Sequence, residues 1–170
     1  MCVQFKYVIT VFRKQFLTLF FLVMGLGVFS GYSQSCNVEL SVEKNRNTKS
    51  ADESGAEFWM VLKNTSSSSA SYDLSALSLE ESCATKNKMT SAANVKLDVN
   101  ILSQESNSLA GKGISLKAGQ TYKFKVFVTV PKGTKYGTWS CIEVKAKSSA
   151  CKQDINGTML RVFVPDPSEG

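Results

Sequence analysis

Seven stretches of the chain after residue 36 alternate apolar and polar side chains with a period of two, the period of a strand with one buried face. In "NVELSVEK" (37–44) Val38, Leu40 and Val42 share a face. In "AEFWMVLKN" (56–64) Phe58, Met60 and Leu62 share one face, with Trp59 and Val61 on the other. "ASYDLSAL" (70–77) groups Tyr72, Leu74 and Ala76. "NVKLDVNIL" (94–102) sets Val95, Leu97, Val99 and Ile101 against Asn94, Lys96, Asp98 and Asn100. "QTYKFKVFVTV" (120–130) sets Tyr122, Phe124, Val126, Val128 and Val130 against Lys123, Lys125, Phe127 and Thr129. "TWSCIEVKAK" (138–147) and "GTMLRVFV" (157–164) complete the set.

The connectors between these stretches carry turn chemistry. "KAGQ" (117–120) and "VPKGTKYG" (130–137) hold Gly and Pro where strand pairing must end. "NRNTKSADESG" (45–55) is polar and charged, and "NTSSSSAS" (64–71) is a corner of small polar residues. Helical periodicity is lacking, although "EESCATKNKMTSAA" (80–93) has room for a short helical turn. Seven strands, most with one apolar face, predict two antiparallel sheets packed face to face. The expected fold is therefore an all-β, immunoglobulin-like sandwich over residues 34–164, with a frayed tail at 165–170.

The first residues read differently. Lys6, Arg13 and Lys14 precede the apolar run "FLTLFFLVMGLGVF" (16–29), and "SGYSQS" (30–35) follows it. Charge, a short apolar run and small residues, in that order, make a secretory signal. The run is shorter than the roughly 20 residues that span a bilayer. Gly31 and Ser33 stand at minus three and minus one for a cut after Ser33, so residues 1–33 are expected to be a cleaved signal peptide. Retention as an anchor and lipidation of Cys36 are the alternatives. Ser33 disfavours lipidation, because a lipoprotein signal normally has Leu there.

Without the signal the formal charge falls from +6 to +3, and the remaining lysines are interspersed with acids. That excludes the clustered Lys/Arg stripe of a nucleic-acid binder. Cys2 leaves with the signal, so Cys36, Cys83, Cys141 and Cys151 remain, enough for two disulfides in an exported domain. Zinc is disfavoured: no close C-x2-C pair occurs, and the chain has no histidine.

Without histidine the usual general base is missing too. No G-x-S-x-G occurs, and "TKS" (48–50) and "KSS" (147–149) lie in polar surroundings. Asp52-Glu53 and Glu80-Glu81 are neighbours on single loops, whereas a glycosidase needs carboxylates facing each other across a cleft. "LAGKGIS" (109–115) precedes no helix, so it is not a phosphate loop. Two N-glycosylation sequons, at Asn64 and Asn156, are discounted in a chain of bacterial appearance. No enzyme, cofactor or metal is expected.

"FWMVLKNTSSSSASYDLS" (58–75) with "ISLKAGQTYKFKVFVTVPKGTKYGTWSCIEVKAKSS" (114–149) resembles bacterial and archaeal immunoglobulin-like modules. These are related to fibronectin type III and to domains appended to some secreted glycosidases. The matching positions are Asn64-Thr65, Leu116 to Gly119, Val130-Pro131 and Gly137-Thr138-Trp139, with Ser66 where glycine is usual. They are turn and core positions, so the resemblance implies fold and transfers no binding residue.

In such a topology Cys36 and Cys151 belong at one end and Cys83 and Cys141 at the other, which implies those two pairings. In the chain-entropy model each bridge contributes about 4 kcal/mol. Pairing of the second and fifth strands implies that Trp59, Val61 and Phe127 share an outer face with Lys123 and Lys125. With Trp139, expected to be exposed near the start of its own strand, they are the candidate contact residues, unless lysine stems or the loop at 104–119 cover Trp59. The expected function is a non-enzymatic, exported binding or structural module of the bacterial cell envelope. Its partner would be an envelope protein or polysaccharide, with no nucleic acid and no membrane span after cleavage. A carbohydrate-associated module and an envelope chaperone or assembly factor are the alternatives.

Overall fold

Where the sequence alternates, the backbone is extended. The computed structural model describes residues 37–80, 94–105, 108–149 and 154–169, all within a compact unit spanning Gln34–Gly170. Sheet I contains β1 (Val38–Val42), β3 (Ala56–Asn64), β7 (Thr121–Thr129) and β5 (Asp98–Ser103), in that spatial order. Sheet II contains β2 (Thr48–Ser50), β9 (Asp154–Val164), β8 (Thr138–Ser148), β4 (Ala70–Leu79) and β6 (Ile114–Leu116). The chain is an all-β, immunoglobulin-like sandwich.

Phe58, Met60, Leu62, Phe124, Val126 and Val128 from sheet I are fully buried. They face Ile142, Val144, Ala146, Leu160 and Val162 from sheet II, which are equally buried. Burying a large apolar side chain of this kind stabilises by about 1.5–3 kcal/mol, so the inward set holds the sheets together.

Two strands beyond the expected seven are present, β2 and β6, each three residues long and each at an edge of sheet II. Three residues are too few to display a period, and "TKS" has no apolar member at all. The expectation of antiparallel pairing throughout is also corrected. β2 pairs with β9 in parallel, Lys49 opposite Val162, because the first strand is split between the sheets. β1 runs antiparallel to β3 as far as Val42 opposite Met60. A 3-10 turn at Glu43–Asn45 then throws the chain across to sheet II. Lys44 and Asn45 in that turn have φ of 57° and 54°, left-handed values that are uncommon outside glycine. The return to sheet I uses Asp52 to Gly55, where Gly55 N–H donates to the Asp52 carbonyl at 3.0 Å. Gly55 has φ of 85°, and a Cβ there would meet the Val128 carbonyl oxygen at 2.5 Å. The expected strand at 94–102 starts four residues late. Residues 94–97 instead cross between sheets, with Val95 N–H bonded to the Trp139 carbonyl at 3.0 Å. The helical turn expected near 80–93 lies almost wholly outside the described residues.

The serine-rich corner between β3 and β4 is organised by a residue that its composition does not advertise. Asn64 is fully buried. Its amide nitrogen donates to the carbonyls of Ser68 (2.8 Å), Leu116 (3.1 Å) and Lys117 (3.1 Å), so one of its two protons is shared. Its oxygen accepts from Ser66 N–H (3.0 Å), the Ser66 hydroxyl (2.6 Å) and the Tyr72 hydroxyl (2.9 Å). One side chain thus ties the end of β3 to β4, β6 and the turn before β7. Burial holds the Tyr72 hydroxyl above its ordinary pKa of 10.0, the Ser66 bond opposing in part.

Asn64→Ala leaves several buried polar groups unpaired at once. It is expected to cost about 2–4 kcal/mol of stability, read as a lower urea midpoint with unchanged slope. Tyr72 is neutral in both folded and unfolded chains below its unfolded pKa. As pH rises past that value, only the unfolded chain ionises at first, so stability falls until the folded pKa is passed. Tyr72→Phe should therefore be less stable at neutral pH yet decline less steeply above pH about 10; equal alkaline slopes in thermal melts would exclude this role.

Candidate binding surface

The outward residues of sheet I form rows set by strand register. Ser41, Val61 and Lys123 lie across one row, and Trp59, Lys125 and Leu102 across the next. Glu57, Phe127 and Asn100 form a third. Trp59, Val61 and Phe127 therefore share one face, and all three are half-buried. Lys125 covers Trp59: its ammonium lies 4.7 Å from the indole centroid and 3.2 Å from the Glu57 carboxylate. With 14% side-chain exposure, Lys125 lays its stem along the ring and keeps its charge paired. Beside it, Lys123 pairs with Glu43 at 3.1 Å.

Trp139 does not join this group. It sits on the outer side of β8 in sheet II, half-buried, tilted against Phe163 with centroids 5.0 Å apart. The expectation that it stands exposed is corrected: cross-strand pairing brings Phe163 directly opposite it. Cys141, also on the outer side of β8, is fully buried and disulfide-bonded, with Asn94 Oδ1 3.4 Å from its sulfur. Its bonding partner is one of the other cysteines, all of which, Cys36, Cys83 and Cys151 included, lie outside the described residues, so the expected pairings do too.

On the β1 side of Trp59 the strand switch opens a cleft of about 240 Å³, lined by Val42, Glu43, Lys44, Arg46, Lys49 and Trp59. Lys49 points inward from β2 and donates to the Glu57 carbonyl, with its ammonium 5.4 Å from the Phe58 ring. Odd-numbered residues of β3 face β1, as Thr65 N–H to the Asn37 carbonyl shows. The Glu57 carbonyl would therefore belong to the β1 ladder, but β1 has already left the sheet. Lys49 takes the place of that lost bond. Lys44 and Arg46 are exposed at the mouth. By sequence, Lys44 closes the first strand stretch (37–44) and Arg46 and Lys49 fall in the charged connector (45–55), so none of the three stood out as a binding residue. The available signal was their spacing, three within six residues, next to the strand that carries Trp59.

The remaining sequence candidates resolve into turns and strands. Asp52 accepts from Ser54 N–H (2.8 Å) and the Ser54 hydroxyl (2.5 Å), which together lower its pKa; this is a turn cap. Lys147 and Ser148 are adjacent on β8 and so point to opposite faces, the lysine exposed and the serine buried. Among the described residues no three His, Cys, Asp or Glu side chains converge as metal ligands, and no helix is long and apolar enough to cross a membrane.

The strand edges are short or capped. β2 and β6 have three residues each. The Leu40 carbonyl on the outer edge of β1 accepts from the Thr158 hydroxyl at 2.8 Å. Along β5, Ser103 N–H bonds the Ser108 carbonyl and Ala110 N–H bonds the Ile101 carbonyl, both at 2.9 Å.

No protein-family model and no curated protein matches the sequence. The fold does recur in solved structures. A family 123 glycoside hydrolase from Clostridium perfringens superimposes with TM-score 0.50 and 10% identity, covering 76% of this chain and 28% of its own. The periplasmic chaperone SfaE gives TM-score 0.42 and 11% identity over 76% of this chain and 57% of its own. A FixG-related protein from Vibrio parahaemolyticus gives 0.41 and 12%, with 76% and 95% covered. The chain thus spans less than two thirds of the glycosidase and of the chaperone. At such identities the likeness concerns the fold alone.

Lys125→Ala should uncover the Trp59 indole. The expected outcome is a red shift in tryptophan emission with a loss of about 1 kcal/mol; unchanged emission would mean that Lys125 does not shield the ring.

Proposed function

We propose that this protein is an exported, non-enzymatic binding module of the bacterial cell envelope, meeting its partner through the Trp59 side of sheet I. Its partner is an envelope protein or polysaccharide. The observation that carries this reading is the half-buried Trp59 ring at the wall of a cleft whose mouth holds Lys44 and Arg46. An aromatic surface flanked by charge has the makeup of a contact site. A strand-accepting chaperone would need a long open edge, and the short or capped edges support the face instead. The reading includes signal cleavage after Ser33 and the pairings Cys36–Cys151 and Cys83–Cys141.

Co-sedimentation with isolated envelopes of the producing cells tests this function, using protein exported with its own leader. Wild type should sediment with the envelopes, and Trp59→Ala, less stable by about 1–3 kcal/mol but still folded at the assay temperature, should lose most of that binding. Undiminished sedimentation of a folded Trp59→Ala protein would exclude the Trp59 side as the contact site.

A further inference from the structure

Lys44, Arg46 and Lys49 line the cleft at the strand switch together with a single acid, Glu43. Glu43 is occupied by Lys123 at 3.1 Å, and Lys49 by the Glu57 carbonyl. That leaves the exposed Lys44 and Arg46 without an ion pair among the described residues. Of these two, Lys44 sits on left-handed backbone, whereas Arg46 has a φ of −84°. Lys44 and Asn45 both adopt left-handed φ, a geometry glycine reaches without cost. Backbone of this kind clusters at ligand clamps and switch regions. Opposite the cations stands Trp59, covered by Lys125 on the β7 side and lining the cleft on the other.

We infer that this cleft is a subsite for an acidic polysaccharide, taking one uronate ring at a time. The inference rests on the functional reading above. Arg46 and Lys44 would hold the carboxylate, for which a guanidinium fork is suited, while the apolar face of the sugar lies against the indole. The volume, about 240 Å³, falls below the roughly 300–1,000 Å³ of pockets that enclose a small molecule. A cleft this small and open suits one unit of a longer chain. An acidic polypeptide would satisfy the cations but offers no saturated ring to the indole.

The test is a tryptophan-fluorescence titration of the exported protein with polygalacturonate, dextran and polyglutamate at low and high salt. Polygalacturonate is expected to bind at least about tenfold tighter than dextran or polyglutamate, with affinity falling as salt rises. Lys44→Ala with Arg46→Ala should weaken it by about tenfold at unchanged melting temperature. Equal binding of dextran or of polyglutamate overturns the inference, as does full affinity in the double variant. Failure of polygalacturonate, with envelope sedimentation still dependent on Trp59, overturns the inference and leaves the functional reading standing. Loss of the Trp59 dependence itself removes both.

Discussion

The architecture depends on one buried carboxamide. A two-sheet sandwich is held mainly by non-directional burial, which would allow the sheets to settle at more than one offset. Asn64 removes that freedom by bonding at once to the β3–β4 corner, to Tyr72 on β4, to Leu116 on β6 and to the turn entering β7. The Leu116 carbonyl, the Ser66 N–H and the Tyr72 hydroxyl are buried with it, whereas the carbonyls of Ser68 and Lys117 have second donors in the Ser66 hydroxyl and the Gln120 N–H. An aspartate, with no N–H to give, would turn a carboxylate toward three carbonyl oxygens. Few side chains can both donate and accept in this geometry.

The second constraint is the split first strand. By leaving β3 after Val42 and joining β9 in parallel, the chain closes one side of the sandwich and removes a long free edge from both sheets. The manoeuvre strands a backbone carbonyl at Glu57, and Lys49 supplies the missing donor from the opposite sheet. It also requires two left-handed residues in succession. The cleft is the geometric consequence: where β1 departs, the outer face of β3 is uncovered next to the turn. A feature that solves an edge problem therefore also assembles cations beside an indole.

On the outer face of sheet I, apolar and basic residues alternate between strands, and the covering of one by the other is mutual. Lys125 screens part of Trp59 while the indole and Glu57 stabilise the ammonium. The result is an aromatic surface that stays in water without being fully open to it, which suits a selective contact better than a bare apolar patch would.

Strand identity, facing and sheet class were legible because period-two alternation is a local property: Phe58, Met60 and Leu62 read as inward with no knowledge of their partners. The shared face of Trp59, Val61 and Phe127 followed once β3 and β7 were paired. β2 and β6 escaped because three residues show no period, and Trp139 was misjudged because its cover, Phe163, comes from another strand. Asn64 looked like one polar corner residue among many, since its role is a sum of bonds to segments up to 53 positions away. Likewise Lys44, Arg46 and Lys49 read as solvated charge. By itself, then, the sequence determined what is local, namely which residues extend and which faces turn inward. Tertiary structure alone decided which polar groups become buried and which charges meet an aromatic ring, because burial and proximity are properties of packed segments.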